Sequence, residues 1–372
     1  MCHWSQNHTV YPRNLVHSVT ICIFAASNGK IMSKKRLLYL DNLKVCLTVL
    51  VIFHHAGQAY GDGGDWAYHP SNPAEFMPWI WHFFSVNAAF FMGLFFLISG
   101  YFVPTSFDKQ GAKAFVQKKL MRLGIPLLLM GGLISVLSGK PEIGHMWYIE
   151  SLLVFCLIYA FIRQICKPID GECSSRPTII GLLIFGGVMG IGSYLIRQVS
   201  PQDHWIWPFG IIPLPMEPAH YLQYVMMFVV GILARRFAWL EKMGNTTGAI
   251  SLVLGCALAL GIYLRDGGAW NDFVAEWFGI YESLLCVFIC FGLLWLFRDY
   301  GNWDSKFWQW CAAQSYGAYI FHLLLMIVLQ YATDSIWMGA FGKFMFIGIV
   351  TTICSFVLTW LVRLIPGAKR VL

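Results

Sequence analysis

Ten stretches of about 20 mostly apolar residues restrict the folds that this chain can adopt. A segment of this length crosses the hydrocarbon core of a bilayer as one helix, because a helix satisfies its own backbone hydrogen bonds. Only 12% of the 372 residues are charged, too few for the surface of a soluble protein. The sequence therefore predicts an all-α, polytopic integral membrane bundle of about ten transmembrane helices. The predicted spans are 37–57, 79–103, 121–139, 146–163, 178–196, 219–234, 247–264, 274–297, 311–331 and 341–362.

The distribution of Lys and Arg predicts the orientation of these helices. If the segment before the first span is cytoplasmic, the cytoplasmic segments carry 19 Lys and Arg residues and the opposite segments carry four. Basic residues concentrate on the cytoplasmic side of membrane proteins, so both termini are expected in the cytoplasm. The net charge of +7 follows from this topology and gives no reason to expect nucleic acid as a partner, since no loop combines clustered basic and aromatic residues.

The beginning of the chain differs from the rest. Residues 1–31 are expected to be disordered or an over-extended start, and Met32 resembles an ordinary start of a membrane protein, which leaves 32–372 as the membrane domain. The 11 Cys residues are scattered and show no paired spacing typical of metal ligands. We therefore expect neither a metal site nor a disulfide framework.

Two ionisable residues lie in the first span, where a buried charge is costly and marks a candidate functional site. Lys44 and His55 are 11 positions apart. Eleven steps of about 100° return to within about 20° of the same face and span about 16 Å. Asp41 precedes Lys44 by one helical turn and is expected to pair with it. The alternative is that Lys44 snorkels to the cytoplasmic surface and His55 ends the helix at the outer headgroups.

Further motifs follow one another along the chain. They are the end of the second span (90–102), then Lys118, Lys119 and Arg122, then His145 and Glu150 at the start of the fourth span, and Ser315, Tyr319 and His322 in the ninth. Together with Lys44 and His55, this ordered set resembles the acyltransferase type 3 family of polytopic membrane O-acyltransferases, including its branch that modifies periplasmic glucans. The resemblance runs from about residue 32 to residue 372.

The chain departs from the family at one position of its hallmark, an Arg and a His separated by ten residues. Here Lys44 stands at the arginine position and His55 at the histidine position. Lysine is a compact point charge and cannot make the planar bidentate contact of a guanidinium group. His54 points about 100° away around the helix, so the spacing selects His55.

The resemblance implies transfer of an acyl group from a cytoplasmic acyl-CoA, usually acetyl-CoA, to a hydroxyl group at the outer face. It also implies a multi-pass protein of the bacterial inner membrane. The expected partners are membrane lipid and a carbohydrate or other hydroxyl acceptor. The donor acyl-CoA is the expected co-substrate, with no metal. The sequence leaves open the acceptor, the choice between acetyl and succinyl, and the oligomeric state.

The cations and histidines suit this chemistry. Lys118, Lys119 and Arg122 are expected to bind the phosphates of coenzyme A, and Lys44 to contact the cofactor and steer its path, although the positive-inside rule alone also explains the basic run. His55 is the expected general base because imidazole titrates near neutral pH; the alternative is that it carries the acyl group itself.

His145 and Glu150 are expected to orient His55 or to bind the acceptor. The alternatives are an interfacial histidine and a hydrogen-bonded structural acid. Ser315, Tyr319 and His322 fall within about 40° on one helix face, which indicates either interhelical hydrogen bonds or a secondary site. The main alternative function is a proton-coupled sugar or drug transporter, although the sequence has no inverted repeat and no matching pair of broken spans.

Overall fold

The structure is a computed structural model that describes residues 37–61, 66–166, 175–202, 204–206 and 216–372. Its helices are α1 (Leu38–Gln58), α2 (Ile80–Lys119), α3 (Ile125–Ser138), α4 (Trp147–Ile165), α5 (Ile179–Val199), α6 (Pro218–Arg236), α7 (Trp239–Lys242), α8 (Asn245–Tyr263), α9 (Gly268–Glu276), α10 (Phe278–Asp299), α11 (Lys306–Ala332) and α12 (Gly339–Val362). Among the described residues, the β-structure is limited to an isolated bridge between Ile206 and Met216. Segment 1–31, predicted to be disordered or an over-extended start, lies outside the described residues.

Each of the ten predicted spans lies on a helix. Eight helical stretches of the described residues are long and apolar enough to cross a membrane. One of these, Ile80–Ser138, contains the second and third predicted spans, and α6 occupies the position of the sixth. The predicted all-α, polytopic membrane bundle is therefore confirmed.

The long stretch Ile80–Ser138 folds back at Gly111. This glycine has φ 75° and ψ 166°, a backbone conformation that other residues rarely adopt. The rings of Phe107 and Phe115 are 5.4 Å apart, whereas eight residues of straight helix would separate them by about 12 Å. Phe107 also contacts Tyr159 near the end of α4, with ring centroids 5.6 Å apart. The chain thus descends along α2, returns along α3 and descends again along α4.

Helices α2 and α6 cross in close backbone contact. A Cβ atom added to Gly100 would lie 2.2 Å from the carbonyl oxygen of Phe228, and one added to Gly231 would lie 2.0 Å from that of Leu97. Small residues allow such backbone contact between membrane helices, where lipid offers no hydrophobic driving force for association. On the other side, α1 packs against α11 and α12. These contacts arrange α1, α2, α4, α6 and α11 around the candidate site.

The loop after α1 is fixed to the end of α11. Trp66 Nε1 donates to Gln330 Oε1 at 2.9 Å, and the carboxylate of Asp334 accepts hydrogen bonds from Ser71 and Tyr68. These hydrogen bonds, those of Ser71 first, lower the pKa of Asp334 to about 2, since they favour its charged form. The loop therefore holds Trp66 beside the last turn of α1.

Candidate active site

Helix α1 places Lys44 and His55 in two different cavities. His55 lines a cavity of about 240 Å³ that we call the histidine cavity. Lys44 lines a cavity of about 500 Å³ that we call the basic cavity. The histidine cavity is lined by residues that include His54, His55, Gln58, His145, His220 and Tyr319. The basic cavity is lined by residues that include Lys44, Lys118, Lys119, Arg122, Arg363 and Tyr319. Tyr319 of α11 lines both, so the cavities meet at this side chain.

His55 is oriented by Gln58 and Trp66. Its Nδ1 lies 2.8 Å from Gln58 Oε1, and the indole of Trp66 stacks on the imidazole with ring centroids 5.8 Å apart. Because an amide oxygen only accepts, Nδ1 carries the proton in the neutral ring and Nε2 keeps its lone pair. His55 is half-buried, and this tautomer leaves Nε2 as the basic nitrogen. Gln58 was not identified from the sequence, although its spacing from His55 places the two one helical turn apart.

Two further histidines lie against His55. The ring centroid of His322 is 5.3 Å from that of His55 and 4.9 Å from that of His145. His322 Nδ1 contacts the carbonyl oxygen of Tyr319 at 2.6 Å, and His145 Nε2 contacts that of Ile320 at 3.1 Å. Both rings therefore donate to the backbone of α11. The structure brings together residues that the sequence placed in the first, fourth and ninth spans.

His54 lies in a different environment from His55. Its ring packs against Phe84 and Phe91, with centroid distances of 5.1 and 5.0 Å. His54 is buried, and its Nδ1 has no hydrogen-bond partner among the described residues. An imidazole held between phenyl rings without a hydrogen-bonded orienting group is poorly prepared for proton transfer.

The basic cavity contains all four cations predicted to bind coenzyme A. Lys44 Nζ lies 2.8 Å from Asp41 Oδ1, which is the predicted pair. Lys118, Lys119 and Arg122 form no ion pair within the described part of the chain. The cavity can therefore accept negative charge from a ligand without first breaking an internal ion pair at these three residues.

Hydroxyl groups lie where the two cavities meet. Tyr148 of α4 and Ser99 of α2 both line the basic cavity, and their oxygens are 2.9 Å apart. The ring of Tyr148 contacts that of Tyr319 with centroids 5.8 Å apart. The Tyr319 hydroxyl donates to the carbonyl oxygen of His145. The Tyr148 hydroxyl also donates to the carbonyl oxygen of Phe95 at 3.4 Å, a long contact. If Ser99 donates to Tyr148, the Tyr148 hydroxyl can exchange this weak bond for one to a ligand in the basic cavity.

Four charged residues form a cluster beside the histidine cavity that we call the ion network. His220 and Glu217 line the cavity, and Glu282 of α10 and Arg197 of α5 complete the cluster. His220 Nδ1 lies 2.7 Å from Glu217 Oε2, and His220 Nε2 lies 3.1 Å from Glu282 Oε1. Arg197 pairs with the other oxygen of Glu282. A ring that donates from both nitrogens is an imidazolium, so the positive charges of His220 and Arg197 balance the two carboxylates. The partners of Glu282 are 62 and 85 positions away in the chain, so no local spacing identifies them.

Two predicted site residues lie apart from His55. Glu150 is buried on α4 and is not among the described residues that line either cavity. Ser315 lines the basic cavity, and its hydroxyl donates to the carbonyl oxygen of Cys311 at 3.0 Å. The structure thus joins His55, His145, Tyr319 and His322 around the cavity junction.

An aromatic surface borders the histidine cavity. The rings of Trp147 and Tyr224 stack with centroids 5.3 Å apart, and Trp205 contacts Trp147 at 6.4 Å. All three residues line the cavity, together with Glu217. Aromatic faces beside a hydrogen-bonding carboxylate are suited to a ligand that has both apolar and hydroxyl surfaces.

The chain matches known proteins over most of its length. A family model described as "Acyltransferase domain", of acyltransferase type 3, matches residues 37–360. The chain is also similar to proteins named glucans biosynthesis protein C, from Escherichia coli strain K12 and from Escherichia coli O157:H7. Each is 24% identical over an alignment of 341 residues, and the match covers 82% of this chain and 83% of the relative. No solved structure matches the chain. The protein therefore belongs to the acyltransferase type 3 family and is a membrane acyltransferase that transfers groups other than aminoacyl groups.

Proposed function

We propose that the protein transfers an acetyl group from cytoplasmic acetyl-CoA to a hydroxyl group of a carbohydrate on the extracytoplasmic side. The observation that carries the proposal is that Tyr319 lines both the basic cavity and the histidine cavity. A donor that enters from one side of the membrane and an acceptor that enters from the other would meet at this side chain. The proposed orientation has both termini and the basic cavity on the cytoplasmic side, in agreement with the distribution of Lys and Arg.

The donor would bind in the basic cavity. Coenzyme A carries several phosphate charges, and Lys118, Lys119 and Arg122 offer cations that no described carboxylate neutralises. Lys44 lies deeper along α1 and is already paired with Asp41, so it offers less free charge. This pairing gives a physical reason why a lysine is compatible with the position where the family usually has arginine: Lys44 acts as a partly neutralised positioning group and not as a bidentate phosphate ligand.

The transfer step uses His55 as the general base. Nε2 of His55 takes the proton of the acceptor hydroxyl, and the hydroxyl oxygen attacks the carbonyl carbon of the thioester. The carbonyl oxygen becomes an oxyanion, to which the Tyr148 hydroxyl donates a hydrogen bond while it accepts one from Ser99. The carbon–sulfur bond then breaks, and the coenzyme A thiolate takes the proton from the His55 imidazolium. Gln58 maintains the tautomer that this step requires.

The acceptor would bind in the histidine cavity. Trp147, Trp205 and Tyr224 offer aromatic faces on which a sugar ring can stack, and the Glu217 carboxylate can accept hydrogen bonds from sugar hydroxyls. The ion network is internally neutral, which favours an uncharged acceptor over an anionic one. The similarity to proteins named for glucan biosynthesis supports the same class of acceptor.

Reconstituted protein would test this proposal against the transporter alternative. Proteoliposomes without an ion gradient receive radiolabelled acetyl-CoA on one side and an oligoglucoside on the other. We expect labelled acetyl ester on the oligoglucoside, formed only when the donor reaches the side of Lys118 and Arg122. Movement of unmodified oligoglucoside that requires a proton gradient, without ester formation, would instead support a transporter.

A further inference from the structure

A second cavity lined by cations adjoins the basic cavity, at the same end of the bundle. This space has a volume of about 490 Å³ and shares Lys118, Arg122 and Arg363 with the basic cavity. It adds Lys369 and Arg370, which lie on the helical turn Ala368–Arg370 after α12. We call this second space the terminal cavity.

The cations of the terminal cavity differ from other arginines at the same end of the bundle. Arg163 and Arg236 both pair with Asp108, at 3.1 and 2.8 Å, and Arg298 pairs with Asp299 at 2.6 Å. The five cations of the terminal cavity form no ion pair within the described part of the chain. They are Lys118, Arg122, Arg363, Lys369 and Arg370.

The positive-inside rule explains why cations lie at this end, but it does not require that five of them converge on one cavity whose described lining has no Asp or Glu side chain. Like charges around a confined space repel one another, so an anion that enters is favoured by each of them. The apolar side chains of Met121 and Leu372 also line the cavity and offer a surface for a planar ring.

The order of the groups matches the order of a nucleotide-linked thioester. Tyr148 lines the basic cavity and contacts Tyr319, the shared cations line both the basic and the terminal cavity, and Lys369 and Arg370 line the terminal cavity but not the basic one. Coenzyme A has its thioester at one end, a diphosphate in the middle and an adenosine 3′-phosphate at the other end. A donor whose thioester reaches Tyr148 would bring its diphosphate to the shared cations.

We propose that Lys369 and Arg370 bind the 3′-phosphate of the donor nucleotide and so select coenzyme A over carriers that lack this phosphate. The inference rests on the proposed acyl-CoA donor and extends it to residues outside the predicted set. Arg363 and Arg122 bind the diphosphate at the boundary, while Met121 and Leu372 contact the adenine.

Kinetics with two donors test the inference. Acetyl-CoA and acetyl-3′-dephospho-CoA are compared in the purified full-length protein and in the double variant Lys369→Ala, Arg370→Ala. We expect wild-type protein to have a KM about 10- to 100-fold lower for acetyl-CoA than for the dephospho donor, from the loss of charge-assisted contacts. The double variant should raise the KM for acetyl-CoA to that of the dephospho donor, with kcat unchanged.

A second double variant serves as the matched control. Lys109 and Lys113 are exposed cations next to Gly111 and do not line the described cavities. Lys109→Ala, Lys113→Ala removes the same charge and should leave the preference for acetyl-CoA intact. Equal loss of preference in both double variants would show a general charge effect and would overturn the inference.

Lipid phosphate is the other source of the same chemistry. If Lys369 and Arg370 bind lipid headgroups, activity should depend on the anionic lipid content of the proteoliposomes, and the double variant should not change the ratio of the two KM values. That result, or equal KM values for both donors in wild-type protein, would overturn the inference. Failure of every form to use either donor would overturn the proposed acyl-CoA donor itself.

Discussion

The two cavities differ in how the charges around them are balanced. Beside the histidine cavity, the ion network pairs each carboxylate with a cation and leaves the site neutral. In the basic cavity, Lys118, Arg122 and Arg363 have no carboxylate partner among the described residues. Internally paired charges hold helices together, whereas unpaired cations are available to an anionic ligand. On this difference rests our proposal that the donor binds in the basic cavity and the acceptor in the histidine cavity.

The same contrast predicts different effects for mutations in the ion network and for mutations in the basic cavity. Removal of a member of the ion network should lower the free energy of unfolding, because its partner stays buried and unpaired. Removal of a cation from the basic cavity should weaken ligand binding and leave the unliganded protein as stable as before. The predictions below separate the two effects, beginning with the proposed general base.

The largest effect is expected for His55→Asn. A general base contributes about 10²- to 10⁴-fold to the rate, and asparagine cannot accept the proton. Acetyl transfer by purified protein should fall by this factor, while binding of acyl-CoA at the opposite end of α1 is retained. His54→Asn is the matched control and should lose much less activity. Wild-type activity in His55→Asn together with loss in His54→Asn would identify His54 as the base.

Glu282→Gln should cause the largest loss of stability. The side chain is 2% exposed and contacts both Arg197 and His220, so its neutralisation leaves a buried cation without a partner. We expect a loss of about 3–5 kcal/mol in the free energy of unfolding. Glu142→Gln, which breaks an exposed ion pair with Lys140, should change it by about 0–1 kcal/mol. Similar unfolding midpoints in the two variants would show that the ion network is not structural.

Tyr148→Phe tests the junction between the cavities. If its hydroxyl stabilises the oxyanion, kcat should fall about 10²- to 10³-fold while the KM for acyl-CoA stays unchanged. Tyr316→Phe is the control, because Tyr316 lines the same cavity but its hydroxyl donates to the carbonyl oxygen of Arg122. An equal fall in kcat in both variants would contradict a specific role for Tyr148.

Arg122→Gln should weaken binding of acyl-CoA without a change in the stability of the unliganded protein. A charge-assisted contact to phosphate contributes about 1–3 kcal/mol, which titration calorimetry with acetyl-CoA can measure. Lys306→Gln, an exposed cation at the start of α11 that lies outside the basic cavity, should bind as wild type. Lower unfolding temperature with unchanged affinity in Arg122→Gln would make this cation structural.

The smallest effect is expected at Asp334, which fixes the loop after α1. Its pKa is lowered to about 2 by hydrogen bonds from Ser71 and Tyr68, against about 3.9 in an unfolded chain. The carboxylate therefore stabilises the folded state above pH 4, and this contribution is lost as the pH falls towards 2. Thermal unfolding of Asp334→Asn should differ from wild type at pH 6 and less so at pH 3. The control is Asp266→Asn at an exposed position, whose unfolding temperature should match that of wild type at both pH values. If the difference in unfolding temperature between Asp334→Asn and wild type grows as the pH falls, the hydrogen-bonding role of Asp334 is contradicted.

The sequence determined the helices because their signal is local. An apolar stretch of sufficient length favours a helix by itself, so the predicted spans coincide with helical segments without knowledge of their neighbours. Of these segments, α6 lies outside the eight described stretches that are long and apolar enough to cross a membrane. The spacing of Lys44 and His55 on one helix also predicted that they face the same side, and the pair of Asp41 and Lys44 is a contact within one helical turn. The reversal at Gly111 within Ile80–Ser138 agrees with the two spans that the sequence predicted there.

Only the tertiary structure decided which of these helices meet. His145 and His322 are 177 positions apart, and Glu282 is 62 positions from His220, so no local spacing relates them. Hydrophobic periodicity does not help, because lipid and protein interior are equally apolar and a membrane helix has no marked polar face. The contact of Tyr319 with both cavities depends on how α11 is rotated against α1 and α4, and that rotation is set by side-chain packing between distant segments. The sequence therefore determined the helices and the candidate base, and the packing of the helices determined that the histidine cavity and the basic cavity share Tyr319.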